Sequence, residues 1–175
     1  KDDDTNLINM IEDFKKVFPY KIRVVNIREF PFSGGCLGCF NCAASGKCIY
    51  KDGFDSFLRE NIQTGNAIII AFSIKDHSMG ARFKMYDDRQ FCNGHRTVTE
   101  GMPFAYIING DYESEHNLKT IVEARAEVGG NYLAGVGYDK ETLMATSKKL
   151  AYAIENKITF PRNFYGVGGM KIFRD

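Results

Sequence analysis

Two uninterrupted apolar runs, NAIIIAF over 66–72 and MPFAYIING over 102–110, constrain this chain more than any other feature. Neither alternates apolar with polar residues, so each reads as a strand covered on both faces, the pattern of a parallel sheet packed between helices. Helical periodicity fills the spaces around them. TNLINMIEDFKKVF over 5–18 places Leu7, Ile8, Ile11, Phe14 and Phe18 near a 3.6-residue repeat, with Asp2 to Thr5 as capping and acidic residues ahead of it and Pro19 as its stop. GFDSFLRENI (53–62), GARFKMYDDRQF (80–91), ESEHNLKTIVEARAEVG (113–129) and KETLMATSKKLAYAIEN (140–156) read as further helices. The β-branched stretch KIRVVNI (21–27) and NYLAGVGYD (131–139) read as two more strands.

Strand and helix therefore alternate, which predicts an α/β doubly wound, three-layer α/β/α fold with a parallel sheet of four recognisable strands. In such folds the first strand usually lies mid-sheet and leads into the ligand loop, whereas this sequence opens on a helix. The expectation is that this strand is missing from the sequence, or that another strand, from the Gly-rich tail NFYGVGGMKIFRD (163–175), takes its place.

The second feature is GGCLGCFNCAASGKC, which sets Cys36, Cys39, Cys42 and Cys48 in a Cys-X2-Cys-X2-Cys-X5-Cys pattern. Thiolates are soft ligands for iron–sulfur clusters or zinc, and a [4Fe–4S] cube needs four converging on one small volume. Gly38 and Gly46 permit tight turns beside such a core. Zinc, a thiol redox pair and free structural thiols stay open as alternatives, although zinc knots more often pair two separated Cys-X-X-Cys units. Cys92, alone in QFCNGHR, reads as a buried or loop thiol rather than a fifth ligand.

Composition narrows the class. The 175 residues are 44% hydrophobic and 26% charged with a net charge of +1, an ordinary globular balance with no general attraction to nucleic acid or to an acidic membrane surface. No apolar run approaches the ~20 residues of a membrane span, and no signal-peptide pattern opens the chain. Clustered thiols without a disulfide framework match a reducing compartment, so a cytoplasmic location without membrane partners is expected.

The succession of the first helix, KIRVVNIREF, CLGCFNCAASGKCIYKDGF, NAIIIAFS, KMYDDR and PFAYIING resembles the NADPH-dependent FMN reductase group of flavodoxin-like proteins, and within it the iron–sulfur flavoproteins. The cysteine block followed by Lys51-Asp52 is its most specific part; the helix ending in Asp88-Arg89 is the second. The resemblance implies a flavodoxin-like domain over 1–160 carrying the cysteine loop 34–48, with a tail over 161–175. It implies FMN held by three loops, here matched by Thr5 and Asn6, by Phe72, Ser73, Ile74, Lys75 and Asp76, and by Asn109, Gly110 and Asp111. The second of these lacks the proline and both aromatics of the family's usual Ser-Pro-Val-Tyr-Trp. It further implies Cys36, Cys39, Cys42 and Cys48 as ligands of a [4Fe–4S] cluster, NAD(P)H, a ferredoxin or a quinone-like molecule as electron donor or acceptor, and a homodimer or homotetramer.

The function expected is thus an FMN-dependent oxidoreductase or electron-transfer flavoprotein. Two other classes are consistent with the same residues: a non-catalytic flavodoxin-like module with a structural metal or thiol site, and a cluster-free NAD(P)H:quinone or nitroaromatic reductase. No side chain reads as an obligatory acid or base. His77, His95 and His116 share no ligand spacing, Lys75 and Arg82 read as solvated charges, and Asp88-Arg89 as a structural ion pair or cap.

Overall fold

Successive residues of the two apolar runs go to opposite sides of one sheet and both sides are covered, which is why neither run needs polar alternation. The computed structural model describes residues 2–90, 92 and 98–159. Its strands are β1 (Ile68–Ser73), β2 (Phe104–Asn109) and β3 (Leu133–Gly137). They pair in parallel in the order β1-β2-β3. The β1–β2 register runs unbroken from Ile68 against Phe104 to Ser73 against Asn109, while β2–β3 carries an irregularity between Phe104 and Ala105.

The helices are α1 (Asp2–Val17), α2 (Asn41–Ser45), α3 (Phe54–Phe57, continuing as a π-turn over Leu58–Ile62), α4 (Ala81–Arg89), α5 (His116–Val128) and α6 (Lys140–Glu155). On one face of the sheet Ala105 and Ile107 of β2 pack with Met10, Phe14 and Phe18 from α1 and its end, and with Leu143 and Leu150 of α6. On the other face Tyr106 and Ile108 join Ile70 and Phe72 of β1, Phe54 and Leu58, Phe83 and Tyr86 of α4, and Leu118 and Val122 of α5. Both crossover helices, α4 and α5, thus lie on the same face, so successive strands advance in one direction, with α1 and α6 covering the reverse. This is the expected three-layer α/β arrangement, consistent with a flavodoxin-like fold.

Helix α6 illustrates how local sequence fixes a layer. Asp139 caps it by accepting from the Thr142 backbone N–H (2.8 Å), and Thr142 Oγ1 accepts from the Asp139 N–H in return (3.0 Å), a reciprocal capping box. The helix then sits so close to β3 that a Cβ on Gly135 would lie 2.6 Å from Thr146 Oγ1, and one on Gly137 2.6 Å from Leu143 Cδ2. Only glycine permits that approach.

One expected strand is not formed. Residues 21–27 carry no strand; Val24 is exposed, and the segment is fastened by side-chain bonds from Arg23 to Asn61 O (2.5 Å) and Thr64 Oγ1 (2.7 Å). Valine and isoleucine favour extended backbone, but a strand also needs a ladder partner, and the sheet does not supply one here. Even-numbered residues of β1 turn their N–H groups to β2, as the bonds Ile68 N to Pro103 O and Ile74 N to Asn109 O show. The groups of Ile69, Ala71 and Ser73 therefore face the other edge, against which no strand pairs among the described residues. Among the described residues the sheet has three strands where four were expected. The tail 163–175, proposed from sequence as a strand source, lies outside the described residues.

Candidate functional site

The cysteine loop is a short chain folded back on itself between two fixed ends. Gly38, Phe40 and Gly46 all have positive φ (64°, 55° and 68°), reversing the backbone three times within the thiol segment. Asn41 Nδ2 donates to Lys47 O (3.1 Å) and Ser45 Oγ to Asn41 O (2.8 Å), while Gly46 N closes α2 on Cys42 O (2.9 Å). These bonds knot 41–47 into a compact unit that carries Cys42 on α2 and Cys48 just beyond it.

A buried ion pair closes the neck of the loop. Arg89, the last residue of α4, binds Asp52 through both terminal nitrogens, Nη1 to Oδ2 at 2.5 Å and Nη2 to Oδ1 at 2.8 Å. The two side chains are 0% and 4% exposed. Asp52 also accepts from Ser33 N (3.0 Å) and Phe54 N (3.3 Å), tying the segment before the thiols to the helix after them. The Arg89 hydrogen bonds, helped by those two backbone donors, outweigh burial and hold the Asp52 carboxyl well below the usual carboxylate range. The guanidinium lies 4.6 Å from the Tyr50 ring centroid and 4.8 Å from that of Phe54. Asp88, expected to pair with its neighbour Arg89, binds Lys84 one helical turn back instead, since adjacent helical residues point to different faces.

Above this neck Cys36, Cys39, Cys42 and Cys48 all line one recess, joined by Cys92 and Arg89. Cys36 and Cys39 are exposed, Cys42 and Cys48 half-buried, Cys92 buried. Burial, and then the thiols of Cys36, Cys39 and Cys48 around it, push the Cys42 thiol up from its ordinary value. Burial, with Cys48 beside it, pushes Cys92 up to about 12. Cys92 is thus the buried thiol that sequence suggested, yet it shares the recess with the clustered four, a neighbourhood that nothing in QFCNGHR signals. Leu37, Phe40 and Ile49 form an exposed apolar rim.

The donor set suits a soft metal or an iron–sulfur cluster. The recess, however, encloses about 30 Å³, and among the described residues no three His, Cys, Asp or Glu side chains stand where they could hold a metal ion together. A group held by all four sulfurs requires the thiols to draw together and the recess to widen.

The residues matched to flavin loops meet elsewhere, at the carboxyl ends of β1 and β2, where open α/β sheets bind ligands. Asn6 Nδ2, from the first turns of α1, donates to Asn109 Oδ1 (2.5 Å), and Asn109 Nδ2 donates to Ser73 Oγ (3.0 Å). Three distant segments are so joined by a row of polar groups. Thr5 is exposed beside Asn6, while Phe72 points into the core against Phe83 and Tyr106. Ile74 N bonds Asn109 O (2.9 Å), and a Cβ on Gly110 would lie 3.1 Å from the Ile74 side chain, so the second and third loops touch. Asp111 accepts from Ser114 Oγ (2.7 Å).

Between them Lys75 and Ser78 exchange both backbone hydrogen bonds at 2.8 Å across Asp76 and His77, whose φ values are both positive (47° and 59°). That is the sign pattern of a two-residue type I′ turn. His77 Nδ1 is 2.9 Å from Glu115 Oε1. His116 is an exposed residue opening α5, and Arg82 lies over the Phe32 ring at 5.6 Å; His95 lies outside the described residues. The polar row suits the alternating donors and acceptors of a flavin ring edge.

Among known proteins, the chain is similar to an iron–sulfur flavoprotein of Clostridioides difficile (strain 630), with 25% identity over 167 residues that cover 86% of this chain and 72% of the relative. No family model matches the chain. No solved structure matches it. Among the described residues, no helix is long and apolar enough to cross a membrane.

Proposed function

We propose that this chain is an electron-transfer flavoprotein or oxidoreductase, binding FMN at the carboxyl ends of β1 and β2 and a [4Fe–4S] cluster on Cys36, Cys39, Cys42 and Cys48. The observation that carries the reading is the gathering of all four closely spaced thiols on one recess above a buried cation. The name of the Clostridioides relative supports it. When bound, the two groups would supply one- and two-electron redox chemistry. The chain's own part is then to position and to tune. The neck at Asp52 and Arg89 fixes where the loop sits, the half-burial of Cys42 and Cys48 limits water at two of the four sulfurs, and the row Asn6–Asn109–Ser73 offers oriented polar groups to a ring edge. The partners in this reading are NAD(P)H, or a ferredoxin- or quinone-like carrier, and a second copy of the chain, in the cytoplasm.

Anaerobic purification followed by iron, acid-labile sulfide and flavin analysis tests it. Iron and sulfide in equal amounts, together with flavin absorbance, are expected, and Cys42→Ser should abolish the iron and sulfide while leaving the flavin. Flavin without iron would leave a cluster-free reductase. A colourless protein with stoichiometric zinc would overturn the reading in favour of a non-catalytic module.

A further inference from the structure

We infer that Arg89 is a positioning residue for the thiol site: it clasps both ends of the cysteine loop and directs a charged hydrogen bond at Cys48 Sγ. The inference rests on reading the thiols as metal or cluster ligands. Nη1 donates to Gly34 O (3.3 Å), two residues ahead of Cys36, and Nη2 donates to Cys48 Sγ (3.4 Å), the last of the four thiols. The same two nitrogens grip Asp52. One side chain on a different helix therefore holds the entry and exit of the loop together.

The geometry calls for arginine specifically. A planar fork can serve a carbonyl, a sulfur and both oxygens of one carboxylate at once, whereas a lysine offers a single point charge on a flexible stem. The ring faces of Tyr50 and Phe54 fix the plane of that fork, so its donors keep their directions. A purely structural ion pair would need only the Asp52 carboxylate; the bond to a ligand sulfur goes beyond it. Groups that hydrogen-bond to ligands orient them and strengthen binding, and donors to cluster sulfurs shift reduction potential. Arg89 acts in this way through Cys48.

Cobalt(II) is the probe, because its thiolate charge-transfer absorption reports sulfur ligation directly. Under anaerobic conditions Arg89→Gln should weaken cobalt(II) binding about 10- to 100-fold and alter the charge-transfer band, and Arg89→Lys should recover only part of the loss. In a Cys48→Ser background the Arg89→Lys effect should largely vanish, since neighbours acting through one contact are not additive. Wild-type affinity and spectrum in both Arg89 variants would overturn the inference. If Arg89→Gln does not fold, Arg89→Lys with the Cys48 cycle decides alone. If wild-type protein takes up no cobalt(II), the ligand reading fails by itself, and the clasp is judged by hydrogen exchange over residues 34–48. Exchange faster in Arg89→Lys than in wild type supports the clasp, and equal exchange overturns it.

Discussion

At the thiol recess four of five sulfurs come from one short stretch, Cys36 to Cys48, and a buried pair of charges braces the stretch from outside. At the strand ends the polar groups come from Asn6, Ser73 and Asn109, far apart in sequence, and neutral amide and hydroxyl bonds join them. The first region is local in sequence but depends on one distant, fully desolvated contact. The second is assembled by the sheet itself, so its bonds are a by-product of strand register. Removing one partner of a buried charge pair strands the other without solvent, whereas breaking a neutral bond near the surface lets water replace it. The recess should therefore be brittle where the strand-end row is tolerant.

The largest test of that contrast is Arg89→Ala, which leaves Asp52 without its partner and should lower unfolding free energy by about 3–5 kcal/mol, read from urea denaturation. Acid should expose the same dependence more gently. A carboxyl whose pKa is depressed on folding, as Arg89 depresses that of Asp52, stabilises the native chain above its unfolded pKa of about 3.9. That contribution is lost as pH falls from there through the lower folded value. Wild-type protein should lose stability more steeply below about pH 4 than Asp52→Asn does, while the two run parallel at neutral pH.

Within the recess, reactivity should separate the thiols. Exposed Cys36 and Cys39 should be alkylated by iodoacetamide at pH 8 at least ~10-fold faster than Cys92, whose thiol is buried and pushed up to about 12. Peptide mass spectrometry over a time course measures this. Smallest of all, Asn109→Ala should cost about 1 kcal/mol in the same urea assay. A cost equal to that of Arg89→Ala would erase the distinction between the two regions.

The sheet was legible in advance where a run of apolar residues needed two covered faces, as in Ile68–Ser73 and Phe104–Asn109. Residues 21–27 misled for a physical reason: their β-branched side chains report a preference for extended backbone, and pairing is decided by a neighbour they do not encode. The thiol cluster was legible from spacing alone. The Arg89–Asp52 clasp was not, because the pair spans two elements and no period relates them; the only hint was an acid just after the last cysteine and an arginine closing a helix. Cys92 reads as a lone small apolar residue until α4 brings it beside Cys48. The left-handed Asp76-His77 pair was equally hidden, since neither is the glycine such a turn prefers.

That turn has a mechanical corollary. Two residues, each locked in a left-handed well and closed by a pair of short backbone bonds between Lys75 and Ser78, leave the hairpin almost no slack. The turn cannot open or reshape itself around a guest without breaking both bonds. Whatever settles against this side of the molecule meets a stiff, prefabricated ledge, and the ordering of the ledge has been completed during folding rather than at the moment of encounter.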